Sequence, residues 1–173
     1  MCGEKDRNYS VLGHTQYVHG LFTLLWRELG GTFSGTLRDA ETPAGAQRLF
    51  SYQTQTLFEI VRDINKYSNN VMARQLYLSL GAIALGAPAT NEKSARAVRQ
   101  WLAVRQLSFP ELVLENGSGL SRVERLSARS LGRLLLAAQH SAVMPELIAS
   151  LPLVAADGTM KKRLAGAEIA GQA

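Results

Sequence analysis

The sequence predicts a mainly α-helical fold with a small β component, and three observations carry that expectation. Apolar residues recur at three- and four-residue spacing through most of the chain. Ser, Thr and Asn stand at the heads of several of these stretches, where their side chains can accept from the first free helical N–H groups. Strand-like alternation is confined to two short stretches, residues 32–52 and 112–115.

In chain order, residues 14–29 place Tyr17, Val18, Leu21, Leu25 and Leu29 on one helical face, and Gly30-Gly31 supplies the stop. Residues 32–38 and 47–52 alternate loosely around Pro43 and Gly45, which predicts a β-hairpin. Thr56 with Glu59 three residues on forms a capping box for a helix carrying Leu57, Ile60, Val61 and Ile64, ending near Lys66. Ser68-Asn69-Asn70 breaks that helix and caps the next, because these side chains compete for nearby backbone groups. Residues 71–85 are almost wholly apolar, which predicts a helix buried on most sides.

Residues 90–106 form a further helix, with Ala95, Val98, Trp101 and Leu102 inward and Lys93, Arg96 and Arg99 outward. A short strand at residues 112–115 leads into the glycine-rich turn of Asn116, Gly117 and Gly119, whose backbone can approach another group closely. Ser127 caps a helix running to about Gln139, and Pro145 suits the first turn of a last helix ending near Leu151. A hairpin needs a sheet or helix to lie on, so these isolated strands imply a sheet only part of which is in the chain.

The 173 residues are the usual size of one domain and include no repeat or linker, so residues 1–173 read as a single unit. Hydrophobic residues make up 46% and charged residues 19%, which excludes wholesale disorder and fibrous repeats. Nineteen Lys and Arg against fourteen Asp and Glu give a net charge of +5. The basic residues are scattered, and the run Lys161-Lys162-Arg163 lacks interleaved aromatics, so no nucleic-acid partner is expected. No signal-peptide pattern is visible in the first thirty residues, so an export signal, if the protein is exported, is expected outside this stretch, and no apolar run approaches the roughly 20 residues of a membrane span. Cys2, the lone cysteine, has no partner for an internal disulfide and reads as a free thiol.

His14 and His19 lie five apart on one helix, whereas helical metal pairs want three or four, and no cysteine or carboxylate cluster completes a site. No metal site is expected from these residues. Ser68 and Asn70 are placed at a rigid helix-to-helix break that can present one hydroxyl and one amide, against the plainer alternative that both only cap the second helix.

The flanking residues weigh toward function. Asp63-Ile64-Asn65-Lys66-Tyr67-Ser68-Asn69-Asn70-Val71-Met72-Ala73-Arg74-Gln75-Leu76 closely resembles the Ser-x-Asn segment of the class C low-molecular-mass penicillin-binding proteins, the serine-type D-alanyl-D-alanine carboxypeptidases and endopeptidases. Glu115-Asn116-Gly117-Ser118-Gly119-Leu120-Ser121-Arg122 is similar to that family's Asp-Gly-Ser-Gly-Leu-Ser-Arg segment, with Asn116 where Asp is usual. Leu151-Pro152-Leu153 through Asp157-Gly158-Thr159-Met160 resembles a later stretch. The likeness extends over essentially the whole chain.

The resemblance implies the helical region of a penicillin-binding transpeptidase/β-lactamase-like α/β domain, incomplete here. It implies an acyl-enzyme mechanism on peptidoglycan stem peptides, inhibition by β-lactams and a periplasmic location. Ser68 would join a lysine-centred proton relay, and Asn70 would bind the substrate's peptide amide. Asn69 would face away and cap. Leu120 would pack on the aliphatic part of a donor side chain, and Arg122 would meet its carboxylate. No serine here is followed three residues later by lysine, and the family's Lys-Thr-Gly is missing, so the chain alone is expected to be inactive. The alternative is a non-catalytic helical interaction module on the same scaffold. Either way an apolar face left uncovered predicts self-association.

Overall fold

The computed structural model describes residues 11–164 and 166–172, and four of its helices start at a side chain that accepts one of their first free N–H groups: Thr56, Asn69, Thr90 and Ser127. Cys2 lies outside the described residues. The chain divides into two compact units, one ending at Tyr52 and the other beginning at Gln53.

In the first unit α1 spans His14–Glu28. The Gln16 side chain accepts from the Gly13 N–H at 3.2 Å to close the head of the helix. Its tail ends through Leu29 and Gly30, the latter at φ +84°, in the left-handed region that glycine enters without penalty. Phe22 stacks on Trp26 and meets Phe33 edge-on, and the Trp26 indole N–H donates to the Thr32 carbonyl at 3.0 Å. The hairpin expected over residues 32–52 is not formed. Residues 43–46 make a turn, with the Ala46 N–H on the Pro43 carbonyl at 2.9 Å, but the flanking segments have no ladder bonds. Their loose alternation buries nothing, and two strands without a face to lie on do not persist.

The second unit holds α2 (Leu57–Tyr67), α3 (Asn70–Leu85), α4 (Asn91–Val104), α5 (Ala128–Gln139), α6 (Met144–Ser150) and a 3₁₀ turn at Gly158–Met160. Thr56 accepts from the Glu59 N–H at 3.3 Å, while the Glu59 carboxylate accepts the Thr56 N–H at 2.8 Å. Thr90 and Ser127 cap α4 and α5 by accepting the Lys93 and Ser130 N–H groups, without a reciprocal bond from the third helical residue. Glu111 reaches across to the head of α5, where its carboxylate accepts the Ser127 hydroxyl at 2.5 Å.

The helices α3 and α4 form the most extensive contact in the unit, and Gly81 permits it. A Cβ on Gly81 would lie 2.5 Å from the Ser94 hydroxyl and 2.6 Å from its backbone nitrogen. Ser94 is wholly buried and donates to the Thr90 carbonyl at 3.0 Å, so its hydroxyl does not go unpaired. Tyr77, Ala95, Leu102, Phe109 and Val154 make the small apolar core among the described residues.

The expectation that α3 is buried on most sides does not hold: its buried residues are Tyr77 and Gly81, while Ile83 is 85% and Val71 72% exposed. One side of the helix is covered by α4, and a second side lies open. Trp101, expected inward, is 45% exposed and carries the Arg105 guanidinium 4.0 Å above its ring. The strand expected at residues 112–115 shrinks to one antiparallel bridge, Val113 with Arg125.

Two glycines should respond oppositely to alanine. Gly81→Ala pushes a methyl into Ser94 backbone and is expected to cost about 1–3 kcal/mol. Gly132, inside α5 with nothing within 4 Å of its missing Cβ, should gain roughly 0.5–1 kcal/mol. Urea denaturation of the two variants beside the unsubstituted chain checks both signs.

Candidate active site

The break between α2 and α3 is built by three successive residues with three different jobs. Ser68 ends α2 in the left-handed conformation, φ 53° and ψ 50°, with its N–H on the Ile64 carbonyl. Asn69 is the N-cap of α3, its side chain accepting from the Met72 N–H at 3.1 Å. Asn70 opens α3 and sends its side chain elsewhere: Nδ2 donates to the Ser118 carbonyl at 2.7 Å. That bond fixes the amide plane and leaves Oδ1 as an acceptor. The capping role open to all three residues in the sequence thus falls to Asn69. The Ser68 hydroxyl makes no hydrogen bond among the described residues.

The turn is braced from the C-terminal side. The Lys66 ammonium pairs with the Asp157 carboxylate at 2.5 Å, and Asp157 also accepts the Leu153 N–H at 2.7 Å. The Lys66 bond, then that backbone bond, hold the Asp157 carboxyl below its ordinary pKa. Gly158, at φ +51°, lies so close that a Cβ there would sit 2.3 Å from the Lys66 carbonyl oxygen. One helical turn back, Asn65 donates to the Ser150 hydroxyl at 2.8 Å, and the Ser150 O–H in turn donates to the Leu147 carbonyl at 2.7 Å.

The second motif is a loop shaped by hydrogen bonds to its own side chains. Asn116 accepts from the Ser118 N–H at 2.9 Å, Ser118 from the Leu120 N–H at 3.2 Å, and Ser121 from the Val123 and Glu124 N–H groups at 3.1 Å each. Gly117, at φ +68°, presses on α3, where a Cβ would stand 2.5 Å from Tyr77 carbons. A Cβ on Gly119 would be 3.7 Å from the Asn70 amide nitrogen. Leu120 is 70% exposed, and the exposed Arg122 has no ion pair among the described residues.

The structure therefore brings Asn70 and the 116–122 loop into direct contact. It leaves the Ser68 hydroxyl, Leu120 and Arg122 open to solvent. Two residues escaped the sequence reading as site residues. Tyr77 was an apolar member of α3, yet it seats the loop and donates its hydroxyl to the Asn91 carbonyl at 3.3 Å. Glu124 takes three loop N–H groups, from Glu115, Asn116 and Gly117, on one carboxylate oxygen at 2.9–3.0 Å. The signal available for Glu124 was the need of three consecutive loop N–H groups for an acceptor, with no strand long enough to provide it. No group of three or more His, Cys, Asp or Glu that could hold a metal lies among the described residues.

With this geometry in hand, comparison with known proteins is decisive. The D-Ala-D-Ala carboxypeptidase 3 (S13) family profile matches residues 2–173. The chain belongs to that family. It is 23% identical over 156 residues to the D-alanyl-D-alanine carboxypeptidase DacB of Haemophilus influenzae, covering 90% of this chain and 33% of that protein. It is 31% identical over 127 residues to the carboxypeptidase Rv3627c of Mycobacterium tuberculosis, covering 72% of this chain and 27% of that one. The chain thus spans about a third of the length of these relatives.

The fold matches the crystal structure of penicillin-binding protein 4 from Haemophilus influenzae in complex with a β-lactam, at a TM-score of 0.82 and 22% identity. That match covers 94% of this chain and 38% of the other. Its helical, incomplete character agrees with the expected helical region of a penicillin-binding domain.

Two predictions follow from the caps and carboxylates. Asn69→Ala should cost about 1 kcal/mol through the lost N-cap, whereas Ser68→Ala should stay within about 0.5 kcal/mol, as read by denaturant titration. The Glu111 carboxyl is drawn from its ordinary 4.5 to about 2, chiefly by the hydroxyls of Ser127 and then Ser130. Because the folded state holds this proton less readily than the unfolded one, Glu111 stabilises fully above pH 4.5 and its contribution disappears as pH falls toward about 2. Glu111→Gln should flatten the stability profile across that window and leave the difference from the parent constant above it.

Proposed function

We propose that this chain is part of a serine-type D-Ala-D-Ala carboxypeptidase or endopeptidase that cleaves peptidoglycan stem peptides through an acyl-enzyme. The single observation that carries the reading is the Asn70–Ser118 hydrogen bond of 2.7 Å, which joins the two resembling motifs across 48 residues of sequence. In this reading Ser68 and Asn70 are catalytic, and Leu120 and Arg122 are substrate-binding. A serine hydroxyl is a weak nucleophile until a neighbouring base takes its proton. The attacking serine and its lysine would come from a Ser-x-x-Lys in the longer protein. Ser68, with an unengaged hydroxyl at a braced turn, would pass protons within that lysine-centred relay. Asn70 would use Oδ1 to accept the N–H of the scissile peptide's neighbour, its Nδ2 being tied to the loop.

Leu120 and Arg122 would line the pocket for the donor side chain, apolar contact first and carboxylate at the end. The fold match to a β-lactam complex supports β-lactams as inhibitors of the whole protein. The substrate's place in the cell wall supports a periplasmic location, and the mechanism needs no metal or organic cofactor. Residues 1–173 would belong to one transpeptidase-like domain.

The second reading, a non-catalytic helical module on the same scaffold, is favoured by two open apolar grooves. One, of about 420 Å³, is lined by Leu80, Ile83, Ala84, Ala97, Val98 and Trp101. The other, of about 370 Å³, runs from Leu57 and Ile60 to Ile83. The same grooves support self-association of the isolated chain.

The coding sequence on either side separates the two readings: Ser-x-x-Lys upstream and Lys-Thr-Gly downstream support the enzyme, and the absence of both supports the module. A labelled penicillin should leave the isolated chain without a stoichiometric adduct by intact mass. In the full-length protein Ser68→Ala should slow acylation with little change in binding. Asn70→Ala should lose about 1–3 kcal/mol of substrate and transition-state binding through the missing acceptor. Acylation at the parent rate in both variants would overturn the catalytic assignment.

A further inference from the structure

The second resembling motif ends at Arg122, and what holds its loop in shape lies two residues beyond. Glu124 Oε1 accepts the Glu115 N–H at 2.9 Å, the Asn116 N–H at 2.9 Å and the Gly117 N–H at 3.0 Å. Three consecutive backbone donors converging on one point make a concave anion site, and here the anion is the chain's own side chain. Burial pushes the Glu124 carboxyl up, and the N–H groups of Gly117, Glu115 and Asn116 together outweigh it and hold it below its ordinary range. Its charge is felt next door: burial, then the Glu124 carboxylate, raises the Tyr77 phenol.

From this point the bonds run round the loop in both directions. Forward from the nest, the Asn116 side chain holds the Ser118 N–H and the Ser118 hydroxyl holds the Leu120 N–H. Backward from Glu124, its own N–H rests on the Ser121 hydroxyl at 3.1 Å. Leu120 and Arg122 both lie on the stretch enclosed between Ser118 and Glu124. The Ser118 carbonyl on the same ring receives Asn70.

We infer that Glu124 is the positioning residue that sets the loop carrying Leu120 and Arg122, and that Asn116 keeps a second carboxylate away from the nest Glu124 fills. The first half rests on the reading of Leu120 and Arg122 as a substrate pocket. The second follows from the departure of Asn116 from the Asp that the resembling motif carries. Either side chain can accept the Ser118 N–H, but Asn also donates Nδ2 to the Glu115 carboxylate at 3.4 Å, whereas Asp would lose that bond and set a further negative charge between the Glu115 and Glu124 carboxylates.

The test uses the full-length protein and two D-Ala-D-Ala-terminated peptides that differ only in a free or an amidated carboxyl on the donor side chain. Glu124→Ala should raise KM for the acidic peptide about tenfold with kcat within about threefold, and the preference for the acidic over the amidated peptide should collapse. Glu124→Gln, which keeps an acceptor, should recover most of that preference. Asn116→Asp should raise KM in the parent background and much less in the Glu124→Gln background.

A lowered Tm with the KM ratio unchanged, or equal effects of Asn116→Asp in both backgrounds, would overturn the inference. Arg122→Ala is the control for the pocket: if it leaves the ratio at its parent value, the pocket reading is at fault. The inference is then judged on amide exchange at Glu115, Asn116 and Gly117, which Glu124→Ala should quicken by about tenfold or more. Unchanged exchange at all three would overturn it.

Discussion

A single stripe along α3 organises the second unit. Asn70, Tyr77 and Gly81 are spaced seven and four apart, which places them on one face of the helix. Gly81 admits Ser94 of α4 into contact with the backbone, Tyr77 receives Gly117 of the loop, and Asn70 holds the Ser118 carbonyl. Each contact depends on the size of a side chain: none at Gly81, a flat ring at Tyr77, a short amide at Asn70. Together they dictate where α4 and the glycine-rich loop stand relative to the start of α3. The Ser-x-Asn turn therefore inherits its surroundings from the helix that follows it.

Polar groups do most of the local shaping, because the apolar core is small. The Lys66–Asp157 pair, the Glu111–Ser127 bond and the Glu124 nest each tie a loop to a helix end or to itself. Carboxylates are well suited to this, since one oxygen can accept several donors and a charged acceptor makes stronger hydrogen bonds than a neutral one. The same dependence makes the fold's loops sensitive to acid, while the α3–α4 contact, built on Gly81 and buried Ser94, carries no charge of its own.

Elements governed by local chemistry were legible in the sequence. Thr56, Thr90 and Ser127 announce helix starts because a capping side chain acts within three residues of itself. The helix break at Ser68 and the glycine turn at Gly117 could be located for the same reason. The hairpin over residues 32–52 could not be judged, since its pairing would depend on a surface to lie on and not on the alternation of its own side chains. The burial of α3 was overread because an apolar stretch records what a helix can bury, not what covers it. Ser68, Asn70, Leu120 and Arg122 were named through resemblance. That Asn70 touches the second motif, and that Glu124 closes the loop, depend on contacts 48 and seven to nine residues away in the chain.

The left-handed backbone at Ser68 also acts as a filter on chemistry. A hydroxyl at this position can come in principle from Ser or Thr, but φ near 53° crowds a second substituent on Cβ against the backbone. Glycine and asparagine fit that conformation and carry no hydroxyl. Of the hydroxyl-bearing side chains, serine is the one that meets the bend of the chain with a small, mobile O–H, so the backbone of the helix break narrows which residues can stand at this position.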